Sequence, residues 1–171
     1  MLGINVGSGQ RKFQSTGNTV WLNVDCQEKW SPDVVASGDS MPMFHDNEAD
    51  YIVLHHICEH FRCGEAKSLI QECYRILKPY GSLIVCVPDM WELAKMWQEG
   101  RISTQVYMTN VYGAYMDSKD DQHEWGYDAA SLKQFLLTCA DWTSYYRFNW
   151  RMIEGADIAR DRWILGVEAI K

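Results

Sequence analysis

Short apolar runs alternate with an amphipathic segment along the first half of the chain. The amphipathic segment, Glu65 to Leu77, carries apolar side chains at helical spacing and ends at a Lys-Pro-Tyr-Gly breaker. Because strands joined by crossover helices pair in parallel, the pattern predicts an α/β fold with a doubly wound, mostly parallel sheet. The runs that predict its strands are Leu2–Val6, Val20–Val24, Val34–Ala36, Tyr51–Leu54 and Ser82–Val87.

The C-terminal part follows a different pattern. Asp128 precedes an apolar stripe at helical spacing and predicts the N-cap of a helix. Beyond it, Ser144–Trp150 and Trp163–Ile170 are β-rich runs joined by a charged loop, and they predict an antiparallel pair at the sheet edge. Near the N-terminus, Gln10 to Thr19 is short and polar and contains a Gly-Asn pair, so we predict no full crossover helix after the first strand.

A glycine turn and an aspartate mark a candidate ligand site at the ends of the first two strands. The first strand breaks into Gly7-Ser8-Gly9, and the second ends on Asp25, 18 positions after Gly7. Glycine accepts positive φ and lets backbone N–H groups approach a ligand, while the aspartate is placed to accept hydrogen bonds from ribose hydroxyls. Each feature alone is equally explained as turn chemistry. Together they favour a nucleotide-type cofactor.

Composition narrows the classes of partner. The 171 residues suit one domain, and 23 acidic against 16 basic side chains give a formal charge of −7, which disfavours a broad nucleic-acid interface. The six cysteines form no CxxC pair, which predicts reduced thiols in the cytoplasm. No apolar run approaches the roughly 20 residues of a membrane span, and no signal sequence is recognisable, so we expect no membrane partner.

Six motifs then occur in a characteristic order. The order resembles that of the class I S-adenosylmethionine (SAM) dependent methyltransferases, specifically the small, single-domain, methyltransferase type 11-like group. The match covers about residues 2 to 89 and continues more loosely through residues 123 to 127 to the end. The motifs are Gly7-Ser8-Gly9, Asn23-Val24-Asp25, Gly38-Asp39-Ser40-Met41-Pro42, Asp46-Asn47-Glu48-Ala49-Asp50-Tyr51-Ile52, His56-Ile57-Cys58-Glu59-His60 and Leu77-Lys78-Pro79-Tyr80-Gly81.

The resemblance implies a fold and a set of site residues. Residues 1–171 would form one domain with a Rossmann-like sheet, in which residues 90–127 form a lid or substrate insertion. Asp25 would hold the ribose, Asp39 would lie at the adenine edge, with Ser40 and Met41 giving a backbone donor and an apolar wall. The implied SAM-binding residues are Asn5, Gly7, Ser8, Gly9, Asp25, Cys26, Asp39, Ser40, Met41, His55 and His56. If the acceptor is a hydroxyl, a base with a pKa near neutrality aids the transfer, so the predicted catalytic residues are His56, His60 or His123 as the base and Glu59 to orient an imidazole.

The histidine-rich segment also admits a metal site, because imidazole and thiolate are zinc ligands. Its spacing matches no compact zinc pattern, and Cys58 and Cys63 are better explained by packing, so we expect no bound metal.

These observations predict an enzyme that transfers a methyl group from SAM to a small-molecule or saccharide-like acceptor, either alone or as a homodimer. One alternative is a catalytically silent SAM-fold module that binds a partner through the aromatic residues of Met90–Tyr115. The other is a nicotinamide-dependent oxidoreductase. It is disfavoured because Arg11 stands in place of the third glycine and the antiparallel ending is unlike that fold.

Overall fold

The computed structural model describes residues 1–114, 121–148, 153, 155–156, 158 and 162–171. Trp150, Tyr115 and most of the charged loop before Trp163 lie outside these residues, so the predictions that include them are tested only in part. The main elements are β1 (Leu2–Val6), β2 (Val20–Asp25), β3 (Val34–Val35), β4 (Ala49–His55), α1 (Cys63–Ile76), β5 (Leu77–Pro88), α2 (Met90–Gln98), α3 (Thr104–Tyr112), α4 (Ala129–Cys139), β6 (Ser144–Arg147) and β7 (Ile164–Ile170). Two short 3-10 turns, Glu28–Trp30 and Cys58–His60, follow β2 and β4.

The seven strands form one sheet in the order β3-β2-β1-β4-β5-β7-β6. β1 to β5 run parallel to one another, whereas β7 runs antiparallel to both β5 and β6. This arrangement confirms the predicted α/β class and its antiparallel edge pair. β5 begins earlier than predicted because Leu77 pairs with Ala49 ahead of a bulge, and the predicted turn is visible within it as a positive φ of 66° at Tyr80.

Helices α1 and α4 pack on one face of the sheet. On α1 the fully buried side chains include Leu69, Ile70 and Cys73, at the spacing that the sequence predicted. Burying each such leucine or isoleucine contributes about 1.5 to 3 kcal/mol. None of the six cysteines, all of which lie in the described part of the chain, forms a disulfide. Among the helices in the described part of the chain, none has the length and apolarity that a bilayer-spanning helix needs.

The connection from β1 to β2 is held by side-chain amides instead of a helix. Asn23 accepts a hydrogen bond from Phe13 N (2.8 Å) and donates one to Phe13 O (3.1 Å). Phe13 then packs edge-on against Trp21, with ring centroids 4.9 Å apart. Buried backbone groups that lack a ladder or helix partner need such bonds. The predicted absence of a crossover helix here is confirmed.

The cap of α4 supports a stability prediction. Asp128 Oδ1 accepts from Ser131 N (2.7 Å), and Ser131 Oγ accepts from Asp128 N (2.9 Å), which satisfies two N–H groups at the helix start. Replacing Asp128 with alanine is expected to lower the free energy of unfolding by about 1 kcal/mol, measured by urea denaturation. Asp128→Asn keeps the accepting oxygen and is expected to lose much less. Equal losses in the two variants would contradict a role for the cap.

Candidate functional site

A cavity of about 360 Å³ opens at the carboxyl ends of β1, β2 and β4. The strand order reverses at β1, because β2 and β3 lie on one side of it and β4 and β5 lie on the other. In an open α/β sheet, ligands bind at such a reversal. Its volume is at the lower end of the range for small-molecule sites. Its walls include five residues predicted to bind SAM, of which His56 was also predicted to be catalytic, and one further residue predicted to be catalytic. These are Gly7, Gly9, Asp25, Cys26 and His56, together with His60.

The glycine turn forms the floor of the cavity. Gly7 and Gly9 have φ values of 66° and 47°, a conformation that L side chains rarely adopt. A Cβ on Gly7 would lie 1.8 Å from Cδ1 of Ile57, whereas a Cβ on Gly9 would meet no atom within 4 Å. The turn is anchored to β2, because Ser8 N donates to Val24 O at 3.0 Å. Gly7 thus allows close packing, and Gly9 leaves open space.

Asp25 is held rigidly at the cavity wall. The residue is only 7% exposed. Its Oδ2 accepts from Gly9 N and its Oδ1 accepts from Gln27 N, both at 2.8 Å. A carboxylate oxygen has two lone pairs, so after these bonds each oxygen can accept one more donor. The geometry suits a ligand that presents two neighbouring hydroxyl groups.

Asn5 and Ser8, which were also predicted to bind SAM, are buried at the glycine turn. The Nδ2 group of Asn5, on β1, donates to Arg11 O (2.8 Å) and to Asn23 Oδ1 (3.0 Å), so both of its hydrogens are used within the protein. Ser8 is also buried. Neither residue is among those that line the cavity, and the side chain of Asn5 connects β1 to Arg11 and Asn23.

Around the Gly38-Asp39-Ser40-Met41 segment, the residues that line the cavity lie earlier in the chain than the resemblance implied. Ser37 and Gly38 line the wall, together with Ala36. Asp39 is half-buried and hydrogen-bonded to Ser37, and Ser40 N donates to Ser37 O at 3.0 Å. Met41 is fully buried in the core, and its N–H donates to Glu72 Oε1 at 2.8 Å. Ser40 and Met41 are not among the residues that line the cavity, and the backbone N–H group of each already has a partner within the protein.

His56 and Glu59 form a hydrogen-bonded pair at the edge of the cavity. His56 adopts a left-handed conformation (φ 58°), and its N–H donates to Cys86 O at 2.8 Å. Its Nδ1 lies 2.9 Å from Oε1 of Glu59, which is only 1% exposed. Burial raises the pKa of Glu59, but the bond to His56 and the nearby imidazoles outweigh it, so the pKa is below its usual value. His55 packs edge-on against His56 at 4.7 Å and does not line the cavity.

His60 and His123 lie on the other side of Glu59. Their rings are perpendicular, with centroids 4.8 Å apart. The loop that carries His123 is tied to Glu59, whose carbonyl oxygen accepts from Glu124 N (2.8 Å) and Trp125 N (3.1 Å). Burial lowers the pKa of His123. The structure therefore brings together all four residues that were predicted to be catalytic.

Several cavity residues were missed by the sequence reasoning. Apolar side chains in the loops beyond β2 and β4 were a usable signal, because large apolar residues in polar loops often line a ligand site. Asp121, in contrast, lies in a part of the sequence with no recognisable motif or hydrophobic pattern. These missed residues are Trp30, Ile57, Phe61 and Asp121.

The strand order and the cavity at its switch point together define a Rossmann-like protein with a nucleotide-type cofactor site. Residues 5–85 match the profile of a family described as "Methyltransferase domain". The match covers just under half of the chain, and together with the fold it supports the class I SAM-dependent methyltransferases as the family that this chain resembles. The cofactor of this family is SAM. The sequence matches none of the curated proteins with which it was compared.

Solved structures of SAM-dependent methyltransferases share the fold. One from Archaeoglobus fulgidus has a TM-score of 0.63 and 14% identity, over 99% of this chain and 86% of the other. One from Methanosarcina mazei has a TM-score of 0.58 and 16% identity, over 99% and 90%. The 1,6-didemethyltoxoflavin-N1-methyltransferase of Burkholderia thailandensis, solved with its substrate and S-adenosylhomocysteine (SAH), has a TM-score of 0.59 and 11% identity, over 99% and 70%.

The residues that line the cavity fit SAM. The spare lone pairs of Asp25 suit the two ribose hydroxyls, and the space above Gly9 would be filled by any side chain at that position. Ser37 and Gly38, in the loop after β3, line the same cavity.

The packing at Gly7 supports a prediction. Alanine at position 7 would force Ile57, a cavity residue, out of its present position, in addition to the strain of a positive φ. We expect Gly7→Ala to lower the free energy of unfolding by about 2 kcal/mol, measured in urea. Gly9→Ala carries similar strain but meets no neighbour, so it is expected to lose about half as much. A loss at position 9 as large as that at position 7 would contradict the predicted contact.

Proposed function

We propose that the chain is an enzyme that transfers the methyl group of SAM to a small-molecule acceptor, with saccharide-like hydroxyl compounds as the favoured class. The observation that carries the proposal is the Asp25 carboxylate, which keeps two accepting positions at the wall of a cavity that His56 also lines. When bound, SAM supplies an electrophilic methyl group on a sulfonium centre. The remaining task of the protein is to align donor and acceptor and to exclude water.

The proposed roles follow from the hydrogen bonds. Asp25 and the Gly7–Gly9 turn bind the cofactor. His56 is the residue that takes a proton from an acceptor hydroxyl at Nε2, because its Nδ1 hydrogen is directed to Glu59 and this fixes the tautomer. Glu59 is a positioning residue, since it acts through His56. His60 also lines the cavity, and His123 packs edge-on against His60.

We propose that residues 90–127 form the acceptor side of the site within a single domain. Helices α2 and α3 place aromatic side chains at the surface: Trp91 is 73% exposed, and Trp97 stacks on Tyr107 with centroids 4.9 Å apart. A lid over a small acceptor would bury such rings when the acceptor binds. The lack of disulfides among the six cysteines supports a reducing, cytoplasmic location.

The test is methyl transfer to a panel of hydroxyl and amine compounds, including free and nucleotide-linked sugars, with SAH release as the readout. We expect turnover with one hydroxyl compound and loss of turnover when Asp25 is replaced. Failure to bind SAM would contradict the proposal. Binding of SAM with no transfer to any compound would favour the silent module, for which the exposed Trp91 and Tyr112 are the candidate partner surface.

A further inference from the structure

Three potential metal ligands converge beside the cavity. One ligand atom from each of Glu59, His60 and His123 lies within 4.8 Å of the other two. They come from separate parts of the chain, the 3-10 turn after β4 and the loop before α4. Two imidazoles and one carboxylate are a donor set that first-row transition metals bind well, whereas magnesium and calcium prefer oxygen donors only.

Both histidines are oriented as metal-bound histidines are. Nδ1 of His60 lies 3.1 Å from Gln122 O, and Nδ1 of His123 lies 2.9 Å from Asn110 O. A carbonyl oxygen only accepts, so each Nδ1 carries the hydrogen and each Nε2 keeps its lone pair. Histidines that bind metals through Nε2 characteristically donate Nδ1–H to a carbonyl or carboxylate in this way.

The carboxylate of Glu59 supplies an independent observation. Oε1 is used by His56 at 2.9 Å, but Oε2 is fully buried and has no hydrogen-bond partner among the described residues. A buried carboxylate oxygen without a partner destabilises the protein, because burial removes its hydration and no hydrogen bond replaces it. A cation between Glu59 and the two imidazoles would remove that destabilisation.

The three ligand atoms must move closer together to share one ion. Zinc lies about 2.0 to 2.2 Å from nitrogen and oxygen ligands in tetrahedral geometry, so two donors on one ion are about 3.3 to 3.6 Å apart. The present limit of 4.8 Å is longer by about 1.2 to 1.5 Å, so binding requires side-chain rotations in this cluster.

We propose that Glu59, His60 and His123 bind one divalent transition-metal ion of the zinc type. Because His60 also lines the cavity, the ion would lie beside the acceptor side of the site. The inference concerns a binding site and does not depend on methyl transfer. A chain that binds the metal but not SAM would contradict the proposed function and leave the metal site intact.

The test uses Co²⁺ as a spectroscopic probe on the full chain, after chelator treatment and removal of any affinity tag. We expect one Co²⁺ per chain, with d–d absorption in the visible range that excess Zn²⁺ abolishes and millimolar Mg²⁺ does not. The variants His60→Asn and His123→Asn keep a side-chain N–H close to the position of Nδ1 and lose Nε2. Each is expected to weaken Co²⁺ binding about 100-fold or more, as is Glu59→Gln.

A matched control is His45→Asn, because His45 is exposed and outside the cluster. It should leave Co²⁺ binding unchanged. The variants must retain the far-ultraviolet circular dichroism of the wild type, and any variant that does not is replaced by the corresponding glutamine or aspartate substitution. Absence of saturable Co²⁺ binding to the wild type, or binding that persists in all three variants, would overturn the proposal. A thiolate charge-transfer band with unchanged binding in the variants would also overturn it, since Cys26 and Cys63 are exposed.

Discussion

Replacing Asp25 with alanine is expected to weaken SAM binding about 100-fold or more. The carboxylate is fixed by Gly9 N and Gln27 N, so its remaining lone pairs are directed before the ligand arrives. Hydrogen bonds to a charged group contribute about 1.5 to 3 kcal/mol each. Loss of two such bonds corresponds to a factor of at least 100 in Kd. Equilibrium dialysis with methyl-labelled SAM measures the change directly.

The charge-matched control is Asp141→Ala. Asp141 is exposed, lies beyond α4 and bonds to Tyr74 only through its backbone oxygen, which alanine retains. It removes the same formal charge but should leave the Kd for SAM unchanged. The account of the ribose site fails if Asp25→Ala binds SAM as the wild type does, or if both variants lose affinity equally.

The second large effect is expected at His56. We expect His56→Asn to lower kcat for transfer to a hydroxyl acceptor about 100-fold or more, the usual effect of losing a general base. Asparagine tolerates the left-handed backbone at this position and can still donate to Glu59 Oε1. The variant therefore removes the Nε2 base with little disturbance of the turn, and the Kd for SAM should change far less than kcat.

The matched control for His56→Asn is the same substitution at another histidine, His45. His45→Asn should retain full activity, because His45 is exposed and does not line the cavity. Co²⁺ binding by His56→Asn should persist, since His56 is not among the proposed metal ligands. A proportional loss of SAM affinity and kcat would instead indicate that His56 supports the cofactor and does not take a proton.

Most of the fold was predictable from local patterns. Apolar runs bounded by glycine and aspartate predicted β1 and β2, and helical spacing between residues 65 and 77 predicted α1. The bounds were less accurate where pairing overrides propensity. Leu77 enters β5 because Ala49 pairs with it, and nothing in the residues around the predicted helix end records that partner.

The site was predictable where a residue lines the cavity from the end of its own strand, as Asp25, Gly7 and Gly9 do. It was not predictable where long-range hydrogen bonds decide the orientation. The amide hydrogens of Asn5 are used by Asn23 and by the carbonyl of Arg11, so Asn5 faces inward. Similarly, the proximity of His123 to Glu59 depends on a loop that binds the Glu59 carbonyl, 65 positions earlier in the case of Glu124.

The most direct test of the central claim is calorimetric titration of the wild-type chain with SAH, the demethylated product of SAM. The account predicts one binding site per chain with a Kd in the micromolar range, because the cavity at β1, β2 and β4 presents a fixed carboxylate and an open glycine turn. Absence of saturable binding at millimolar SAH would contradict it and would leave the chain as a methyltransferase fold without its cofactor.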